Sequence, residues 1–286
     1  MKIPSWWQTE VSILESDLNI GIQKSFKVIH ITDTHLTFTD EETCKEIFEM
    51  VNLRRRMFSK NIENLKIAKE LAKKYNAPIV HTGDIIDFVT KENLDYARQY
   101  IRENQVIFAV GNHEFLYNFS AVQSTEKHKL SIFKTIENEL SIPLNFSSRI
   151  INGVNFVALD NGFYQFNAQQ LMELKKEVEK GFPIVLCMHN PLYEESFFEY
   201  KYNLWGERCA ALVGVPKDKL KLYSKVHAEM QKPNTATMDF IEDIETEKQI
   251  KAVFCGHTHV DYQSVLTCGI QQIATGINTI RVITIR

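Results

Sequence analysis

The chain has 286 residues, 44% of them apolar and 24% charged, and a formal net charge of −3. That balance excludes disordered and fibrous classes, and a chain of this length buries enough surface to fold without disulfide staples. The small charge gives no global pull toward nucleic acid or anionic membrane, and no stretch approaches the roughly 18 to 20 apolar residues of a spanning helix.

In chain order, Phe26 to Thr32 (FKVIHIT) reads as a buried strand. A long helical region is predicted from about Glu41 to Tyr75, with leucine, isoleucine and alanine at 3–4 spacing in ENLKIAKELAKKY. Strands are predicted at Pro78 to Thr82 and Gln105 to Val110, with a helix at Lys91 to Glu103 between them and another at Thr125 to Leu140. Asn145 to Asp160 holds two strands around Asn152-Gly153, a hairpin signal. A helix over Ala168 to Lys180, a strand over Pro183 to Met188, a helix over Thr237 to Glu247 and a strand over Ile250 to Cys255 follow. Short alternating strands then run to the end, broken at Thr275-Gly276. The segment from about Glu194 to Ala236 has no clean period and is rich in aromatics, then in lysine. Alternating strands and helices without repeats or an evident linker predict one α/β domain over residues 1–286.

The five cysteines are odd in number and lack paired spacing, and no basic segment leads into an apolar run at the N-terminus. Both features predict a reduced chain in the cytoplasm.

The chemistry is concentrated at strand ends. Five polar clusters each follow a predicted strand directly: Asp33-Thr34-His35, Gly83-Asp84-Ile85-Ile86-Asp87, Gly111-Asn112-His113-Glu114, His189-Asn190 and Gly256-His257-Thr258-His259. Ligands of open α/β sheets bind beyond the carboxyl ends of the strands, so these loops are expected to converge. Five of the nine histidines lie in them. A single Asp after a strand is ordinarily a helix cap and a single His a satisfied core residue, but five such clusters together are hard to scatter by chance. Carboxylate and amide oxygens mixed with imidazoles suit Mn, Fe or Zn rather than a softer ion. Seven candidate ligands (Asp33, His35, Asp84, Asn112, His189, His257, His259) are too many for one ion and suffice for two with a shared carboxylate. The D-x-H and H-x-H spacings would point alternate side chains of an extended segment the same way.

The set D-x-H, G-D-x-x-D, G-N-H-E, H, G-H-x-H, in this order from Asp33 to His259, resembles the calcineurin-like metallophosphoesterase family. The resemblance implies two packed β-sheets flanked by helices, a four-layer αββα sandwich. It implies one metal on Asp33, His35 and His259, a second on Asn112, His189 and His257, and Asp84 bridging them. His113 would be the general acid and Asp87 would orient it. The implied reaction is hydrolysis of a phosphate ester by a water made nucleophilic between two cations. Phosphoprotein phosphatases of the superfamily carry arginines where this chain has Phe88 and Val110, which turns the reading toward small substrates. A nucleotide-like or small phosphodiester is favoured; a small phosphomonoester is the alternative, and a non-catalytic scaffold of the same fold is the alternative of a different class. Neither a membrane nor nucleic acid is expected as a partner.

Other residues receive plainer readings. Arg54-Arg55-Arg56 reads as a solvated helix face, or else as a phosphate-contacting rim. His30 and His81 read as buried and hydrogen-bonded, His128 and His227 as surface, Cys187 and Cys255 as small apolar filler, and Trp6-Trp7 as packing. The aromatic segment at about 194–236 is a packed insertion or a cap over the site.

Overall fold

The computed structural model describes residues 7–39, 45–120, 123–206 and 211–286. Two sheets face each other. The first contains β1 (Ser12–Leu18), β2 (Phe26–Ile31), β3 (Ile79–His81), β4 (Ile107–Phe108) and β11 (Thr279–Ile285), in the order β1-β11-β2-β3-β4. The second contains β5 (Phe146–Ile151), β6 (Val154–Leu159), β7 (Ile184–Cys187), β8 (Ile250–Cys255), β9 (Tyr262–Val265) and β10 (Gln271–Ala274), in the order β5-β6-β7-β8-β10-β9. Strands β2, β3 and β4 run parallel, as do β6, β7 and β8. Parallel neighbours end on the same side, so their loops open on one rim.

Side-chain alternation decides which residues face which layer. Val28, Val80 and Ile107 of the first sheet meet Phe156, Val185 and Phe254 of the second in one buried cluster between the sheets. Their neighbours Ile29, Ile31 and Ile79 point outward, against α2 (Asn61–Tyr75), α3 (Lys91–Glu103) and α4 (Glu126–Leu140). On the far side, Val157, Leu186 and Val253 pack against α5 (Ala168–Glu179), α6 (Glu195–Trp205) and α9 (Thr235–Thr246). The result is the αββα sandwich.

Most predicted elements stand where the pattern puts them. Asn152 and Gly153 both take positive φ, +50° and +81°, as a two-residue hairpin turn between β5 and β6 requires. Thr90, Thr125, Asn167 and Asn234 cap α3, α4, α5 and α9 through side-chain oxygens. Three elements differ from expectation. The helical region expected from Glu41 is broken into α1 (Lys45–Met57) and α2, and Phe58 in the break stacks on the His35 ring at 4.0 Å. Strand β1 was not expected, because SILESDL is an edge strand with no apolar run; among the described residues it pairs only with β11, which comes from the other end of the chain. The aperiodic segment contains α6, α7 (Lys217–Leu220) and α8 (Lys225–Gln231). Trp6, Cys44, Cys209 and the expected helix start at 41–44 lie outside the described residues. Among the described residues no helix is long and apolar enough to cross a membrane.

His30 is fully buried, hydrogen-bonded to Thr82 Oγ1 and Thr275 Oγ1 at 2.9 Å each and stacked on Phe254. Burial, reinforced by the Arg281 charge, holds its pKa well below the ordinary imidazole value. The folded state therefore binds fewer protons than the unfolded state below about pH 6.5, and stability falls as pH falls. For a His30→Gln variant, the loss of unfolding free energy between pH 6.5 and 5.5 is expected to be about 1 kcal/mol smaller than in the parent. Urea melts at the two pH values measure it; an unchanged pH slope would contradict a neutral His30.

Candidate metal centre

Hydrogen bonds continue past the ends of the strands and bring the loops into register. Asp33 N donates to Gly83 O and His35 N to Asp84 O, so the loop after β2 runs beside the loop after β3. Gly256 N donates to His189 O, joining the loops after β7 and β8. The two pairs meet where His257 N donates to Asp33 Oδ2 at 2.8 Å. Close approach is possible because two positions lack a side chain. A Cβ on Gly83 (φ +94°) would stand 2.6 Å from His189 Nδ1, and one on Gly111 would overlap Asp84 Oδ1.

All seven predicted ligands converge. One nest holds Asp33, His35 and His259, another Asp84, His189 and His257; in each, a set of one ligand atom per residue lies within 4.8 Å. Asp33 Oδ1 is 3.2 Å from His259 Nε2 and 3.7 Å from His35 Nε2. Asp84 Oδ2 is 3.2 Å from His189 Nε2 and 3.7 Å from His35 Nε2, which puts this one oxygen between the nests. Asn112 lines the same cavity as Asp84 and His257, and its Oδ1 is buried.

The route to convergence differs from the expected one. Asp33, His35, His257 and His259 are not extended: their φ angles are +51°, +48°, +65° and +58°, and Asp84 is at +54°. A non-glycine residue in this left-handed region costs of order 1–3 kcal/mol and persists only where surrounding contacts over-determine it. Five such residues in one cluster mark a place where the fold holds side chains against local preference.

The imidazoles are also oriented. His189 Nδ1 donates to Thr82 O at 2.7 Å, and His35 Nδ1 to Asp87 Oδ1 at 2.8 Å, so each directs Nε2 into its nest. His257 Nε2 lies 2.7 Å from the Tyr164 hydroxyl, leaving Nδ1 facing His189 Nε2 at 3.2 Å. Asn112 Oδ1 is buried with no hydrogen-bond partner among the described residues, and the buried Asp33 Oδ1 faces the His259 and His35 imidazoles at 3.2 and 3.7 Å without a well-aligned hydrogen bond. Buried oxygens so poorly satisfied beside inward-facing imidazole nitrogens are costly for a bare protein and fit a cation.

Charges in the metal-free protein tell the same story. Burial alone would raise the Asp33 and Asp84 carboxyls, but the surrounding histidines outweigh it and hold both well below the usual range. Burial would lower His35 and His189, yet hydrogen bonds and charges from Asp33, Asp84 and Asp87 push them up to about 9 and about 10. Protons thus occupy the positions of missing positive charge, and cations would have to displace them. Beneath the nests Glu114 is fully buried and accepts from Asp84 N, Ile86 N and Gly111 N; burial and the Asp84 charge push it up to about 7.

His113 sits at the rim, 16% exposed, with Nδ1 2.7 Å from Asp87 O and 3.2 Å from Asp87 Oδ1. Asp87 therefore touches it chiefly through the backbone carbonyl. The Asp87 carboxylate is instead shared by His35 and Arg54, the latter at 2.8 and 2.5 Å. Arg54 is thus not part of a solvated face, because it is turned in against the site. His81 bonds Thr34 and His128 bonds Phe115 O, both through Nε2. His227, expected at the surface, lines the cavity over the nests together with Tyr164, Lys201 and Trp205. Cys187 and Cys255 are buried, with thiol pKa values raised by desolvation. Trp7 packs edge-on against Phe58 and His259.

Residues 26–261 match the calcineurin-like phosphoesterase family model. The chain belongs to that family. It is a metal-dependent phosphoester hydrolase of that family. Among solved structures, a dimetal phosphatase from Danio rerio is 17% identical with a TM-score of 0.46, covering 88% of each chain. A phosphopantetheinyl hydrolase from Mycobacterium tuberculosis is 11% identical with a TM-score of 0.43, covering 92% of this chain and 90% of its own. A 5'-nucleotidase from Candida albicans is 13% identical with a TM-score of 0.42; 95% of this chain spans 47% of it, about half its length. A comparison with curated protein sequences found no significant match.

Asn161 and Tyr164 have no place in the sequence reading, and Arg54 has only that of a solvated face or a phosphate-contacting rim. Asp160-Asn161 also follows a strand, β6, and the strand-end criterion applied there would have found it: Asn161 Oδ1 accepts from His189 N and Asn190 N. Arg54 and Tyr164 carry no such signal, since each reaches its partner across the fold.

Proposed function

We propose that the chain hydrolyses a small phosphodiester, nucleotide-like or simpler, at a two-metal centre, as one domain over residues 1–286. Asp33, His35 and His259 would hold one cation, Asn112, His189 and His257 the second, and Asp84 would serve both. Manganese, iron and zinc all suit this donor set. When bound, the cations supply a water of lowered pKa and positive charge for the phosphoryl oxygens. His113, fixed through Nδ1 on Asp87 O, offers Nε2 to the cavity and protonates the leaving oxygen.

The single observation carrying this reading is the Asp84 oxygen shared between two imidazole-carboxylate nests. The diester preference rests on charge. Phe88 and Val110 are fully buried and apolar, Arg54 is engaged by Asp87, and Lys201 is the cation lining the cavity among the described residues. A diester carries one negative charge fewer than a monoester dianion and needs less neutralisation beyond the metals. Helices α6 and α8 contribute Lys201, Trp205, His227 and Met230 to the cavity wall, which supports a capping role for the insertion at about 194–236.

The test is turnover of bis-p-nitrophenyl phosphate beside p-nitrophenyl phosphate by chelator-stripped protein, with Mn, Fe or Zn added back. Faster metal-dependent cleavage of the diester supports the proposal. Faster cleavage of the monoester moves the assignment to a phosphomonoesterase, and tight metal binding without turnover of any ester, natural dinucleotides included, would defeat it.

A further inference from the structure

We propose that Arg54 is a positioning residue that holds Asp87, and through it His113 and His35, in working orientation. The inference deepens the hydrolase reading above and rests on it for its kinetic consequence only. Arg54 sits in the last turn of α1, and its side chain is 14% exposed. Nε donates to Asp87 Oδ2 at 2.8 Å and Nη2 to Oδ1 at 2.5 Å, a two-pronged grip that fixes the plane of the carboxylate. The guanidinium also lies over the Phe58 ring at 4.6 Å and the Phe119 ring at 5.0 Å. Phe58 in turn stacks on His35 at 4.0 Å, and Phe119 lies 5.8 Å from His113. Arg54 therefore reaches both histidines twice, by the carboxylate and by the rings.

The geometry separates this role from substrate binding. Arg54 is not among the residues lining the cavity, whereas His113 is. Asp87 is fully buried, and its Oδ1 faces His35 Nδ1 at 2.8 Å and His113 Nδ1 at 3.2 Å as well as Arg54. With the fork in place, His35 keeps the carboxylate as acceptor and His113 keeps the Asp87 carbonyl. Without it, the carboxylate is free to turn between two imidazoles, and neither retains one defined partner. A lysine supplies the charge but cannot grip both oxygens.

The test uses Arg54→Met, which keeps an unbranched side chain but removes the charged fork, beside Arg54→Lys, both checked by thermal melting against the parent. The first readout needs no activity: the His113 Nδ1–H resonance in ¹⁵N-histidine-labelled protein, metal-free and zinc-loaded. It is expected to be protected from water exchange in the parent, lost in R54M and partly recovered in R54K. An unchanged resonance in R54M overturns the proposal. The second readout is kinetic. A fall in kcat of about 10- to 100-fold on an alkyl ester, with KM steady and nitrophenyl esters less affected, is the expected outcome for a residue acting through another. A rise in KM with equal losses on both esters would make Arg54 a substrate contact instead and overturn it. If the parent hydrolyses no ester, natural dinucleotides included, the hydrolase reading fails, while the resonance still decides the role of Arg54. Should R54M not fold, R54K carries both readouts.

Discussion

Replacing Asp84 with asparagine is expected to lower kcat by roughly 10³-fold or more, the scale of losing one preorganised electrostatic group at a reacting centre, and to reduce tightly bound metal from two ions to one or none. The two carboxylate oxygens have separate duties. Oδ2 faces His189 and His35, one in each nest, and Oδ1 accepts the His113 backbone N–H at 2.9 Å. Asparagine keeps the shape and can keep one of these duties with its carbonyl oxygen. Its NH₂ group must then face either a backbone donor or a cation, and both are repulsive. The substitution also removes the charge that sustains the protonated His189 in the metal-free protein. Metal analysis of the purified variant beside its kcat measures the effect. Two ions retained with near-parental turnover would show that Asp84 does not join the two nests in function.

His113→Asn is expected to lower kcat by roughly 10²–10⁴-fold on an ester with an alkyl leaving group, the usual range for general acid catalysis. A nitrophenolate leaves without a proton, so nitrophenyl esters are expected to lose much less. The fold supports a selective effect. His113 lines the cavity yet stands outside both nests, so its removal strips no proposed ligand from either. Its Nδ1 is occupied by Asp87 O, which leaves Nε2 as the nitrogen that can give up a proton to substrate. The comparison of leaving groups, with metal content confirmed unchanged, is the measurement. Equal losses on both esters would remove the acid role and leave His113 as a stabiliser of charge.

Much of the site was legible because chain order and fold order coincide there. Asp33, Asp84 and Asn112 follow β2, β3 and β4, and His189, His257 and His259 follow β7 and β8. Parallel strands place their carboxyl ends together, so polar clusters after apolar runs become neighbours without any knowledge of distance. The hairpin at Asn152-Gly153 was legible for a local reason, the need for positive φ at both turn residues. Strand β1 was not, since its pairing with β11 joins residues more than 260 positions apart and leaves no local period.

The sequence by itself determined an α/β domain and the strand-end loops that carry Asp33, His35, Asp84, Asn112, His113, His189, His257 and His259, while the layering and the roles of these residues came with the family resemblance. Periodicity and strand-end position are local properties, and local properties survive in one dimension. Only the tertiary structure decided how those side chains converge: through five left-handed backbone residues, not through extended alternation. It alone turned Arg54 inward onto Asp87, set Tyr164 against His257 and brought Phe58 onto His35 at the break between α1 and α2. Each of these contacts is made by elements far apart in the chain, and their energy comes from burial and hydrogen bonding, which no spacing rule encodes.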